Sequence, residues 1–164
     1  MNVAREKRSQ GFSLIELIIV VVIIGILAAI AVPRMSRGSE GAADAKLTAD
    51  LAVLRNAIDL YNVEHPGKLP TVGSVADQLI TYTDLNGVTN KTKTGNFIYG
   101  PYVRKMPKLS VGNHVGLNTV VTGGAPGSMA GGWWYDPSSG NIIANLDGSL
   151  TVNQDVEGVS YDTY

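Results

Sequence analysis

The chain contains no cysteine. That removes disulfide cross-links, thiolate metal sites and cysteine nucleophiles together, so an exported head must be held by packing or by a bound ion. Histidine is nearly absent, with only His65 and His114, and no GxSxG, HExxH or phosphate-loop pattern accompanies them. Catalysis needs a nucleophile, a base and an orienting group converging on one pocket, and the sequence supplies no such set, so it does not read as an enzyme. Charge is also scarce, at 16% of residues with a net of −1. Arg5, Lys7 and Arg8 fall in the first eleven positions against Glu6, leaving 10 basic and 13 acidic residues elsewhere. No basic stripe remains there, which argues against a nucleic-acid partner.

What is present is distributed unevenly. Residues 12–32 read FSLIELIIVVVIIGILAAIAV, and Glu16 is the one charge among them. A run of roughly 20 apolar residues spans the bilayer hydrocarbon if helical, at about 1.5 Å rise per residue. Basic residues precede it, so the positive-inside rule keeps residues 1–11 cytoplasmic and exports the C-terminal part. A cleaved secretory signal would be shorter and would stop at its small residues, whereas this run continues into a second helical pattern. An uncleaved single-pass anchor fits the length but not Glu16. A carboxylate at membrane depth costs about 2.5–3.5 kcal/mol on insertion scales, and such residues are usually functional.

Cleavage after Gly11 would give Phe12 a free amine four residues before Glu16. That amine could meet the carboxylate one turn along its own helix, or the carboxylate of a neighbouring chain. In a low-dielectric helix bundle the matched pair is far cheaper than either charge alone, which makes Glu16 a register device for assembly.

The segment KRSQGFSLIELIIVVVIIGILAAIAVP resembles the class III signal of type IV pilins and type II secretion pseudopilins. Its marks are a short basic leader ending in Gly11, then Phe12, Glu16 four residues on, and a long apolar helix. The resemblance implies that a prepilin peptidase cuts between Gly11 and Phe12 and methylates the new Phe12 amine. It implies a bacterial inner-membrane precursor with a periplasmic head that later joins a periplasmic or extracellular filament. The partners it implies are further copies of the chain, minor pseudopilins or pilins, membrane lipid, and an inner-membrane platform driven by a cytoplasmic ATPase. Gly25 and Pro33 fall where this family has helix-weakening residues. Glycine costs about 1 kcal/mol inside a helix, and proline removes a donor and clashes with the preceding turn. The stretch between them either loosens on assembly or carries a simple proline kink.

Beyond Pro33, Leu47, Leu51, Leu54, Ile58 and Tyr61 recur in steps of 4, 3, 4 and 3. That spacing makes one apolar helical stripe, with Asp44, Lys46, Asp50, Arg55 and Asp59 largely on other faces. The helix should end near His65-Pro66-Gly67, where His65 meets free carbonyls. The GKLPT that follows resembles the turn closing the long helix in major pseudopilins. Val75–Ile80 reads as a short helix, 85–87 and the NKTKTGN run as turns or loops, and YGPYVRKMPKL as an extended loop. Within that loop Tyr99, Tyr102, Arg104, Lys105 and Lys108 either form a subunit contact or cover the core. Strands are expected at 132–135 and 141–146, joined as a hairpin by Asp136–Gly140, with a further strand near 117–122.

The expected fold is therefore α+β and pilin-like. A long N-terminal helix, transmembrane in its first half and amphipathic in its second, packs on a small antiparallel sheet. Residues 1–11 form the leader, 12–33 the transmembrane or filament-core helix, 34–65 the amphipathic stalk and 66–164 a loop-rich head. No cofactor is required. Major pseudopilins characteristically bind calcium in a C-terminal loop, and Asp147, Asp155 and Glu157 offer hard oxygen ligands, but without a fixed ligand spacing. An acidic tail in solvent is the simpler reading. The function expected is that of a structural subunit of a type II secretion pseudopilus. A type IV pilus subunit and a non-polymerising membrane-anchored binding module are the alternatives, and the lack of a cysteine pair bounding a C-terminal loop favours the first.

Overall fold

The computed structural model describes residues 12–147, apart from the side chains of 31–38. The leader with Gly11, and Asp155 and Glu157 of the expected acidic tail, lie outside the described residues. Helix α1 runs Leu14–Glu64, and Gly25 and Pro33 both fall within its span. The chain divides into two compact units, 1–39 and 40–164.

In the first unit, every side chain from Phe12 to Ile30 is exposed, although nearly all are apolar. The expected span continues to Pro33, and the side chains of its last residues lie outside those described. Among the described residues no helix is long and apolar enough to cross a membrane.

The second unit is built on the apolar stripe of α1. Leu47, Leu51, Leu54, Ile58 and Tyr61 are all at most 2% exposed, as their spacing predicts. Burying a side chain of this size stabilises the fold by about 1.5–3 kcal/mol. Asp44 departs from expectation: it is buried, because it lies one turn before Leu47 on the same stripe. The helix stops as read, with Gly67 at φ 73 and its N–H returning 3.0 Å to the Asn62 carbonyl. Helix α2 then spans Val75–Ile80 and adds Val75 and Leu79 to the core.

The sheets differ from a single antiparallel meander. Strands β1 (Tyr82–Thr83) and β2 (Thr89–Asn90) form a short antiparallel pair around the 85–87 turn. Each has only two residues, too few to show a strand period in the sequence. Strands β3 (Val120–Thr122), β4 (Trp133–Tyr135) and β5 (Ile142–Ala144) make a second sheet. The expected β4–β5 hairpin is present, with Trp134 opposite Ile143. Strand β3, however, pairs parallel to β4, with Val120 opposite Trp133. The sheet is therefore mixed, not antiparallel. A parallel pair needs a crossover, and the glycine-rich segment 123–132 supplies it. Gly132 is required there, since a Cβ would stand 2.3 Å from the Leu117 carbonyl oxygen. Trp133, Tyr135, Ile142 and Ala144 face inward and complete the core against α1 and the loop residues Val103, Met106 and Leu109.

Candidate assembly site

Phe12 precedes α1 and is 84% exposed, and Leu17 donates its N–H to the Ser13 carbonyl at 3.2 Å. Glu16 lies in the first turn of the helix, where the positive end of the helix dipole favours a carboxylate. Its side chain is exposed, among Leu14, Ile15, Leu17, Ile18 and Ile19, each at least 49% exposed. A single acid thus sits near the start of an exposed and otherwise largely aliphatic surface within the first unit. Such a surface is stable only against lipid or against other apolar helices. A Cβ built at Gly25 meets nothing within 4 Å among the described residues.

At the other end of α1 the structure places His65 more deeply than its helix-end position implied. It is fully buried. Nδ1 lies 2.9 Å from the Tyr61 carbonyl oxygen, and Nε2 lies 2.9 Å from the Asp84 carbonyl oxygen and 3.0 Å from Thr83 Oγ1. The ring therefore joins the helix end to β1. Residues near a helix end usually stay in solvent, and only the long-range return of 82–84 encloses this one.

The loop residues divide between the two expected roles. The tyrosines turn to the core: the Tyr102 hydroxyl donates to Glu64 Oε2 at 2.6 Å, and its ring meets Tyr61 edge-on at 5.7 Å. Burial and the Glu64 carboxylate hold the Tyr102 hydroxyl well above the usual phenol range. Arg104, Lys105 and Lys108 are exposed.

Asn145, which its sequence context did not single out, is also fully buried. Its amide nitrogen donates to the carbonyls of Met129 and Gly131 at 2.7 and 2.9 Å, and its carbonyl accepts from Gly127 N–H at 2.7 Å. One side chain thereby fixes the crossover that makes the sheet mixed. Of the three calcium candidates, Asp147 alone is described. Among the described residues no three histidine or acidic side chains cluster as a metal site.

Comparison with known proteins bears on the N-terminal helix and the head together. Residues 7–32 match the model of the prokaryotic N-terminal methylation motif. The chain is 31% identical over 109 residues to the type II secretion system core protein G of Aeromonas hydrophila, covering 66% of this chain and 72% of that protein. Against the protein of the same name from Vibrio cholerae it is 32% identical over 107 residues, covering 65% and 68% of the two chains. The Klebsiella pneumoniae protein of that name is 29% identical over 102 residues, or 62% and 69%. No solved structure matches the chain.

Proposed function

The chain belongs to the family of the type II secretion system core protein G, and from that membership we propose that it polymerises through its N-terminal helix into a pseudopilus supporting protein export. It is a structural subunit and not an enzyme. The observation that carries the reading is the exposed, largely aliphatic surface of residues 12–30, in which Glu16 is the one charge.

In this reading a prepilin peptidase removes residues 1–11 after Gly11 and methylates Phe12. The apolar helix, 12–33 in the sequence, waits in the inner membrane with the head in the periplasm. Assembly then moves it from lipid into a core of identical helices, where Glu16 meets the Phe12 amine of the adjacent subunit. Lipid and helix core are similarly apolar, so the transfer gains little free energy by itself. The direction of assembly must come from the inner-membrane platform and its cytoplasmic ATPase. Gly25 and Pro33 provide the place where the helix yields as subunits seat. Minor pseudopilins are further partners, and no cofactor takes part.

N-terminal sequencing and intact-mass measurement of the membrane-extracted protein test the processing step. A methylated Phe12 start supports the reading. An intact chain still beginning at Met1, in cells whose prepilin peptidase is active, removes it.

A further inference from the structure

Charge in this chain is segregated in a way that assembly through the apolar helix leaves unused. No lysine or arginine follows Lys108, whereas Asp136, Asp147, Asp155, Glu157 and Asp162 all do. The last three basic residues, Arg104, Lys105 and Lys108, are exposed, and among the described residues no acid pairs with any of them. Lys105 and Lys108 line a groove of about 380 Å³ with Lys46, Asp50, Met106 and Pro107.

The groove is fixed from beneath. Met106 is 5% exposed. Lys46 pairs with Asp50 and also donates to the Lys108 carbonyl at 2.9 Å. Asp50 is thus taken up inside the head, while Lys105 and Lys108 stand at a held backbone with no acid paired to them among the described residues. A cationic rim over an apolar floor suits an acidic segment carrying some apolar side chains. The sequence of 155–162, DVEGVSYD, has that composition.

We propose that this groove docks the acidic residues Asp155, Glu157 and Asp162 of a second copy of the chain, so that each head grips the C-terminal segment of its neighbour. The proposal rests on the self-assembly read above and adds a second, polar contact to it. Groove and acidic segment are different parts of the chain, so the contact is head-to-tail and propagates along a filament instead of closing a dimer. Exposed ion pairs contribute little each, so the contact sets register and steers encounter more than it supplies affinity. It weakens with salt.

The absence of cysteine makes the test clean. In the full-length chain expressed in its membrane, Lys108→Cys combined with Glu157→Cys should give a ladder of cross-linked multimers on oxidation, which neither single variant gives. Lys105→Glu with Lys108→Glu, introduced beside the cysteine pair Arg104→Cys and Glu157→Cys, should abolish the ladder that this pair gives alone. Adding Asp155→Lys and Asp162→Lys should restore it. A fast-migrating monomer with an internal cross-link would mean that the acidic segment folds onto its own head, and it overturns the proposal, as does the absence of any cross-link. Wild-type chains that form no filament would instead overturn the assembly reading, since the ladder is still read from copies held in the membrane.

Discussion

His65 lies stacked on Tyr61, ring centroids 3.9 Å apart and planes 10° from parallel, while its Nδ1 sits 2.9 Å from the Tyr61 carbonyl oxygen. One residue pair therefore carries both an aromatic contact and a polar closure of the helix end. Replacing His65 by leucine keeps most of the volume but removes the ring's contacts with Tyr61, Asp84 and Thr83. The head should lose about 1–3 kcal/mol, the cost of leaving buried polar groups unmade, read from urea unfolding followed by circular dichroism.

Asn145 holds the crossover through three backbone groups. Asn145→Ala should destabilise the head by about 1–3 kcal/mol or more, because it strands buried donors and acceptors. Amide exchange should then quicken first at Gly127 and across 123–132, ahead of the α1 residues around Leu54. Uniform quickening across the head would show that Asn145 does not hold this loop in particular.

Tyr135 is buried and its hydroxyl donates to the Pro70 carbonyl at 3.1 Å. Burial, with smaller contributions from Asp136 and Tyr61, pushes it up to about 12. The folded state therefore keeps a proton that the unfolded chain releases near pH 10. Its contribution to stability is complete below pH 10 and declines as pH rises from there towards 12. Tyr102, raised by burial and Glu64, acts in the same direction. Unfolding midpoints measured from pH 8 to 11.5 should fall steeply at the alkaline end, and Tyr135→Phe should flatten that fall while costing stability near neutrality.

Glu16 is exposed in the first turn of α1. Glu16→Ala should leave insertion into the inner membrane intact or improved, since it removes a penalty of about 2.5–3.5 kcal/mol. Filaments should be lost. A variant that assembles like the wild type, judged by sheared-filament recovery and electron microscopy, removes Glu16 from assembly.

The stripe of α1 was legible because helical spacing repeats over many residues, and Leu47 to Tyr61 needed no tertiary knowledge to be placed in the core. Helix α2 and the β4–β5 hairpin were legible for local reasons, in turn residues and in Trp, Tyr and Ile. Asp136 to Gly140 shows such locality: Ser138 and Ser139 bond the Asp136 carboxylate and hold it near 2, all within the turn itself. The N-terminal signal likewise needs only order and composition, since a run of aliphatics with one acid states its environment without a fold.

Three features were decided by tertiary structure alone. The parallel pairing of β3 with β4 depends on a glycine-rich crossover whose path is set by Asn145, 14 to 18 residues along the chain from the backbone groups it bonds. The burial of His65 depends on Asp84 and Thr83 returning over the helix end, and the Lys105–Lys108 groove on Lys46 reaching across from α1. Each joins residues distant in sequence, and spacing along a chain records what a residue's neighbours are, not which far segment will come to lie against it.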